Sequence, residues 1–196
     1  MMAVADAETE LLDVVDKFNN VLRQELRGVV HRHGLLHRAV HVVVFNSTEQ
    51  LLLQRRSAMK KLGPNCWDLS CAEHLMVGES YAKAALRGLH EELNINKPEC
   101  DLQLWEPMLQ LMDYPEVDVK DNEFIAMFAT LYDGEVIEDK VEVAETRWCT
   151  IEELQVEMKQ SPDSFTPWFR KDYDKLNLES IIEQLKMKRA RTPVLV

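Results

Sequence analysis

Cysteine is scarce in this chain, with four residues in 196, and Cys66, Cys71, Cys100 and Cys149 have neither the density nor the spacing of a disulfide scaffold. They contain no C-x-x-C zinc pair, so a reduced, intracellular and specifically cytoplasmic setting is expected. No apolar run approaches the ~20 residues that span a bilayer, which excludes a single-helix membrane anchor. Residues 1–12 carry Asp6, Glu8 and Glu10 where a leader would have basic and then apolar residues, so neither a signal nor a transit peptide is expected. Basic residues are not in excess either. With 23 Lys and Arg against 34 Asp and Glu, the net charge of −11 argues against general binding to a nucleic-acid backbone. It does not argue against a small phosphorylated ligand, because bound metal and a few local cations can invert the field at one site. Internal repeats and low-complexity tracts are absent as well.

What is present is an ordinary globular composition, 46% hydrophobic and 29% charged, in a chain long enough to bury one core without cross-links. One domain is expected over residues 11–185, between a flexible segment at 1–10 and a basic tail at 186–196. Residues 11–15 and 21–26 read as short strands around a turn at Phe18-Asn19-Asn20. A histidine-rich stretch from His31 to His37 leads into a β-branched run, 39–45, with the look of a buried strand. A turn at 46–50 and a second strand at 51–55 make the pair a hairpin. Further strands are expected at 102–105, 108–112 and 123–132. The capping-box pattern Thr150-Ile151-Glu152-Glu153 opens a helix through Met158, and an amphipathic helix is expected over 176–191. Strands before and after a central helix, with helices at the end, indicate a mixed α/β architecture.

The central helix carries the most information. From Ser80 to Leu93 the residues Ala82, Ala85, Leu86, Leu89 and Leu93 share one face, with Ser80 suited to cap the start and Asn94 to occupy the left-handed position after the end. Arg87 and Glu91 are neighbours one turn apart, Glu92 lies 100° round from Glu91, and Glu79 sits in the preceding loop. These carboxylates can converge near one edge, and clustered oxygen ligands suit a hard cation such as Mg²⁺. Periodicity alone leaves open a charged face that is merely solvated.

Taken whole, residues 73–95 resemble the Nudix box, G-x5-E-x7-R-E-U-x-E-E-x-G-U with U a bulky aliphatic. Glu79, Arg87, Leu89, Glu91, Glu92 and Ile95 fall in register without a gap. Three positions depart: Glu73 and Asn94 stand where the pattern has glycine, and Gly88 stands where it has glutamate. The resemblance implies an α/β/α Nudix sandwich with a mixed β-sheet. It also implies a Mg²⁺-dependent hydrolase acting on a small-molecule diphosphate, with Glu79, Glu91 and Glu92 as metal ligands and Glu91 and Glu123 in catalysis. The missing carboxylate at Gly88 bears on that activity, and a glycine inside a helix costs about 1 kcal/mol relative to alanine.

From about Leu12 to Phe169 the flanks are similar to isopentenyl diphosphate isomerases and the Nudix hydrolases related to them. The similarity is carried by His37-Arg38-Ala39-Val40-His41, Leu52-Leu53-Gln54-Arg55-Arg56, Trp67-Asp68-Leu69-Ser70 and Phe165-Thr166-Pro167-Trp168. It implies metal ligation by His31, His37, His74 and the acidic residues Asp121 and Glu123, with Mn²⁺ or Zn²⁺ as alternatives to Mg²⁺ at a histidine-containing site. The isomerases place a catalytic cysteine at the position of Ala72. Cys71 is adjacent, but on an extended backbone it points to the opposite face. Isomerisation is therefore the second reading and a catalytically silent ligand- or partner-binding module the third. Arg55, Arg56, Lys60 and Arg87 are candidates to contact the diphosphate. Trp67 and Trp168 are candidates to wall its pocket, with core packing an open alternative for each.

Overall fold

The computed structural model describes residues 7–98 and 101–191. Residues 1–6 of the expected flexible segment, Cys100, and residues 192–196 of the expected tail lie outside the described residues. Strands β1 (Leu11–Val15) and β2 (Val21–Leu26) form an antiparallel hairpin with Leu11 opposite Leu26. The turn is closed at Asn19, where φ is 67°, a conformation asparagine tolerates better than other side chains.

The histidine-rich stretch, for which the sequence reading assigns no element, begins within a helix, α1 (Arg27–His33). It has no side-chain N-cap, and local signals for it are weak. Burial of Val30 and His31 is what supports it, and Gly34 ends it in the left-handed conformation.

Among the described residues seven strands make the main sheet. Strand β3 (His37–Phe45) lies parallel to β8 (Val119–Leu131), which pairs antiparallel with β7 (Gln103–Tyr114). The two strands expected at 102–105 and 108–112 are thus one, with a register shift between Trp105 and Met108. Strand β4 (Leu51–Arg56) meets β3 only at Phe45 and Leu51, so the expected hairpin is a single pair. The length of β4 pairs instead with β9 (Val143–Cys149), and its end with β5 (Trp67–Asp68). The place beside the first half of β3 is taken by β6 (Cys71–His74).

Alternation along β3 divides the core. Val40, Val42 and Val44 pack against the apolar face of α2 (Tyr81–Leu93), including Ala84, Ala85, Leu89 and Leu93. Val43 and Phe45 face the other layer, built by α3 (Ile151–Gln160), α4 (Pro167–Tyr173) and α5 (Leu178–Arg191). The result is the expected α/β/α sandwich around a mixed sheet. The caps expected from sequence are in place. Ser80 accepts from the Lys83 N–H, Asn94 is left-handed at φ 53°, and Thr150 and Glu153 form a capping box.

Candidate active site and metal centre

Strand register assembles the first part of the site. His37 lies beside Glu123 in the β3–β8 ladder, Ala39 beside His74 and His41 beside Ala72 in the β3–β6 ladder. Paired residues share a face, and every second residue returns to it, so His37, His41, Ala72, His74, Asp121 and Glu123 all point to one side of the sheet. Helix α1 adds His31 from above. The imidazole nitrogens of His31, His37 and His74 and a carboxylate oxygen of Asp121 lie within 4.8 Å of one another. Glu123 Oε1 is 3.2 Å from His74 Nε2 and 3.6 Å from His37 Nε2. His33, the third histidine of the stretch, points to solvent.

Local hydrogen bonding favours a ligand set over a packed polar cluster. His37 Nδ1 lies 3.0 Å from the Leu35 carbonyl. A carbonyl can only accept, so Nδ1–H donates to it and Nε2 faces the cluster. His31 Nε2, His37 Nε2 and Asp121 Oδ1 are buried without a hydrogen-bond partner, a costly arrangement unless another group satisfies them. Three imidazoles and a carboxylate are a donor set for a divalent transition metal. Burial, followed by the charge of His74, brings His31 down to about 3. Burial and Arg27 pull His74 downward too, but Asp121 and Glu123 outweigh them and raise it to about 9. Asp121, although buried, is held well below the usual carboxylate range by His37 and His74.

A second acidic group borders the same cavity, whose volume is about 440 Å³. Glu92 is buried and accepts from Gln54 Nε2 at 2.8 Å, while the Glu91 side chain is 55% exposed. Burial, then the charge of Glu73, pushes the Glu92 carboxyl well above its ordinary range. Glu79, expected among the metal ligands, is not among the residues that line this cavity. Its oxygens accept from Arg87 Nε and Nη2, both at 3.1 Å, and from the Met76 N–H at 2.9 Å. Arg87, expected to touch diphosphate, is the centre of a carboxylate clamp that also takes Glu73 (2.8 Å), Glu91 (3.1 Å) and the His74 carbonyl (2.8 Å). It fixes the loop and β6 against α2.

The remaining candidates divide. Arg56, Lys60 and Trp168 line the cavity. Arg56 donates to Asp68 and stacks over Trp168 with its guanidinium 5.0 Å from the ring centre, and Lys60 pairs with Glu142. Asp68, fully buried, also accepts from Trp168 Nε1 and Thr166 Oγ1, which anchors the aromatic wall. Arg55 and Trp67 are not brought to the cavity. Arg55 is half exposed and bound to Glu145, and Trp67 stacks under Arg147 at 4.4 Å and packs on the core.

Asp121, implied as a ligand by the resemblance, lies within the histidine cluster because β8 begins at Val119, four residues before the expected strand start. Two features escaped the sequence reading. His41 is buried and bonded to Asp172 of α4 at 2.5 Å, directly opposite Ala72. Its period-2 spacing from His37 was the available signal. Burial opposes the charge on His41, but Asp172 raises its pKa overall. Glu73, noted only as a departure from the box, lines the cavity.

The model of the NUDIX domain matches residues 35–169. An isopentenyl-diphosphate Delta-isomerase 2 of Photorhabdus laumondii is 32% identical over 174 residues, covering 89% of this chain and 96% of that one. An uncharacterized Nudix hydrolase of Nostoc sp. is 35% identical over 146 residues, covering 67% of this chain and 85% of the relative. Among solved structures, DR0079 from Deinococcus radiodurans superimposes with a TM-score of 0.67 at 25% identity, covering 86% of this chain and 99% of that one. Among the described residues no helix is long and apolar enough to cross a membrane.

Proposed function

The chain belongs to the Nudix family, and on that premise we propose that it is a metal-dependent hydrolase of a small diphosphate compound. The observation that carries the reading is the convergence of His31, His37, His74 and Asp121, three of their donor atoms buried without a hydrogen-bond partner, beside a cavity lined by Glu92 and the cations Arg56 and Lys60. Divalent metal bound by the imidazoles and Asp121, with Mg²⁺ at Glu91 and Glu92, would neutralise diphosphate charge and acidify water. Glu123, buried against the histidines, is the candidate base. It accepts the proton of the attacking water as a new bond forms to phosphorus and the bridging P–O bond breaks, its electron pair leaving with the departing phosphate. Arg56 and Lys60 lie on the wall where that phosphate would be held, and Trp168 offers an apolar face to the organic half.

Isomerisation is the second reading, favoured by the name of the Photorhabdus relative. An allylic proton shift needs an acid and a base on opposite faces of the substrate. The thiol of Cys71 is buried in the helix-side core, where burial pushes its pKa well up, and Ala72 occupies the cavity face. An open cavity with intact donors speaks against a silent module. A phosphate-release screen over nucleoside, sugar and prenyl diphosphates with Mg²⁺ and Mn²⁺, run beside an isomerisation assay, tests the reading. Isomerisation without phosphate release overturns the ranking, and inactivity in both assays returns the module.

A further inference from the structure

One cavity-lining imidazole stands outside the histidine cluster and outside the reaction described above. His41 follows His37 by four residues on β3, so both point to one face of the sheet, with Ala39 between them and Ala72 beside His41 on β6. Ala39, His41 and Ala72 all line the cavity. The two alanines form a floor of small side chains. Glu123, next to His37 in the β3–β8 ladder, borders it at one end and His41 at the other. Helix α4 faces this floor, with Trp168 lining the cavity and Asp172 following one turn later. Asp172 lies 2.5 Å from His41 Nδ1. A carboxylate accepts, so Nδ1–H donates to it, and Nε2 is the ring nitrogen left for the cavity.

Packing does not call for this pair. Val43 and Phe45, next along the same face of β3, and Met127, the β8 partner of His41, are buried apolar core. Apolar side chains of similar volume commonly match or exceed a buried ion pair in stability. A histidine and an aspartate only 3% and 2% exposed therefore need another reason to be there. The other charged groups that act on the ring are Glu123 of β8 and Asp68 of β5. Asp68 is already engaged by Arg56, Thr166 and Trp168. Burial works against a charge on His41, but Asp172, Glu123 and Asp68 outweigh it and raise its pKa.

We propose that His41 is the general acid of the cavity, donating from Nε2 to the bridging oxygen as its bond to phosphorus breaks, with Asp172 as the positioning residue that holds the ring. The inference rests on the hydrolase reading above. Water gives one proton to Glu123 and bonds to phosphorus. The bridging oxygen keeps the electron pair of the broken bond and takes the His41 proton, which leaves a neutral imidazole. Solvent returns the Glu123 proton to His41 before the next turnover. Attacking and leaving oxygens lie roughly in line across phosphorus, as Glu123 and His41 lie at opposite ends of the alanine floor.

Hydrolysis of ADP, UDP-glucose and dimethylallyl diphosphate by the full chain with Mg²⁺, followed by phosphorus NMR, compares wild type with His41→Gln and Asp172→Asn, each checked for fold by circular dichroism. Glutamine can still donate to Asp172 but cannot pass on a proton. On a probe that wild type turns over, His41→Gln should lower kcat by at least about hundredfold, with KM within about threefold. Wild-type kcat should fall as pH rises through the folded pKa of His41, above the ordinary 6.5, and His41→Gln should lack this limb. Asparagine keeps an acceptor for Nδ1–H without the charge, so Asp172→Asn should move the limb to lower pH by about one unit or more. A pair that only packs would change stability and leave the limb in place. Near wild-type kcat in folded His41→Gln, or an unmoved limb in Asp172→Asn, overturns the assignment; if His41→Gln does not fold, the limb decides. A further readout needs no turnover: imidodiphosphate added with Mg²⁺ should shift the Nε2 resonance of His41 in nitrogen NMR of wild type, and an unmoved resonance also overturns the assignment. Absence of hydrolysis across the whole diphosphate screen sinks the hydrolase reading and the acid step with it, a failure distinct from retained turnover in His41→Gln.

Discussion

Adding metal to the histidine cluster should stabilise the protein, and the size of the effect follows from the site. Without metal, His31 Nε2, His37 Nε2 and Asp121 Oδ1 are buried with no hydrogen-bond partner, and a buried group left so costs about 1–3 kcal/mol. A ligand that binds only the folded state stabilises it by about 2.7 kcal/mol when present at one hundred times its Kd. For a chain of this size each kcal/mol moves the midpoint by about 2–4 °C, so Zn²⁺ or Mn²⁺ should raise Tm by about 5–10 °C. The assay is thermal unfolding of chelator-treated protein with and without metal. Ca²⁺, which seeks oxygen ligands, should shift it less. His37→Ala removes a ligand whose ring is fully buried and oriented by the Leu35 carbonyl, and the Zn²⁺ shift should fall below about 2 °C. A wild-type shift under about 1 °C at saturating metal, or an undiminished shift in His37→Ala, would show that these residues are a packed polar cluster and not a metal site.

Metal uptake should also depend on pH with a defined sign. His74 is raised to about 9 without metal, so below that pH the incoming ion displaces its proton, and affinity should climb about tenfold per pH unit and level off above it. His31, at about 3, contributes no proton near neutrality. Calorimetry at pH 7.5 in two buffers of different ionisation heat counts the protons, and a count near zero contradicts the assignment. Asp172→Ala leaves buried His41 without its partner and should cost about 3–5 kcal/mol in urea unfolding. Because His41 is raised above its usual value, the pair's contribution is complete below about pH 6.5 and is lost as pH rises through the folded value. A loss under about 1 kcal/mol at pH 6 would mean the pair is not stabilising in this way. Wild type should show no appreciable interconversion of isopentenyl and dimethylallyl diphosphate, since among the described residues no thiol lines the cavity beside Ala72; robust turnover abolished in Cys71→Ser would overturn that.

Features decided within a few residues were legible without coordinates. The apolar stripe of α2, its caps at Ser80 and Asn94, the capping box at Thr150 and the β-branched run of β3 were all of this kind, because capping and periodicity are local physics. The in-register match at Glu79, Arg87, Glu91 and Glu92 was legible as well. Helix α1 was not: with no N-cap side chain and only seven residues, it exists through the burial of Val30 and His31. Nor was the pairing of β4 with β9, since a strand carries no local mark of a partner some ninety residues away. Which acidic residues meet at the cavity was a tertiary decision too. Glu79 and Arg87 satisfy one another, while Asp121 enters the cluster because β8 starts early and sits parallel to β3. The contact of Glu73 with Gly88, where an added Cβ would lie 2.6 Å from Glu73 Cγ, shows the division most clearly. Each residue is visible in the sequence, but that they contend for one volume is a fact about two surfaces packed together, and packing is settled only when the strand and the helix meet.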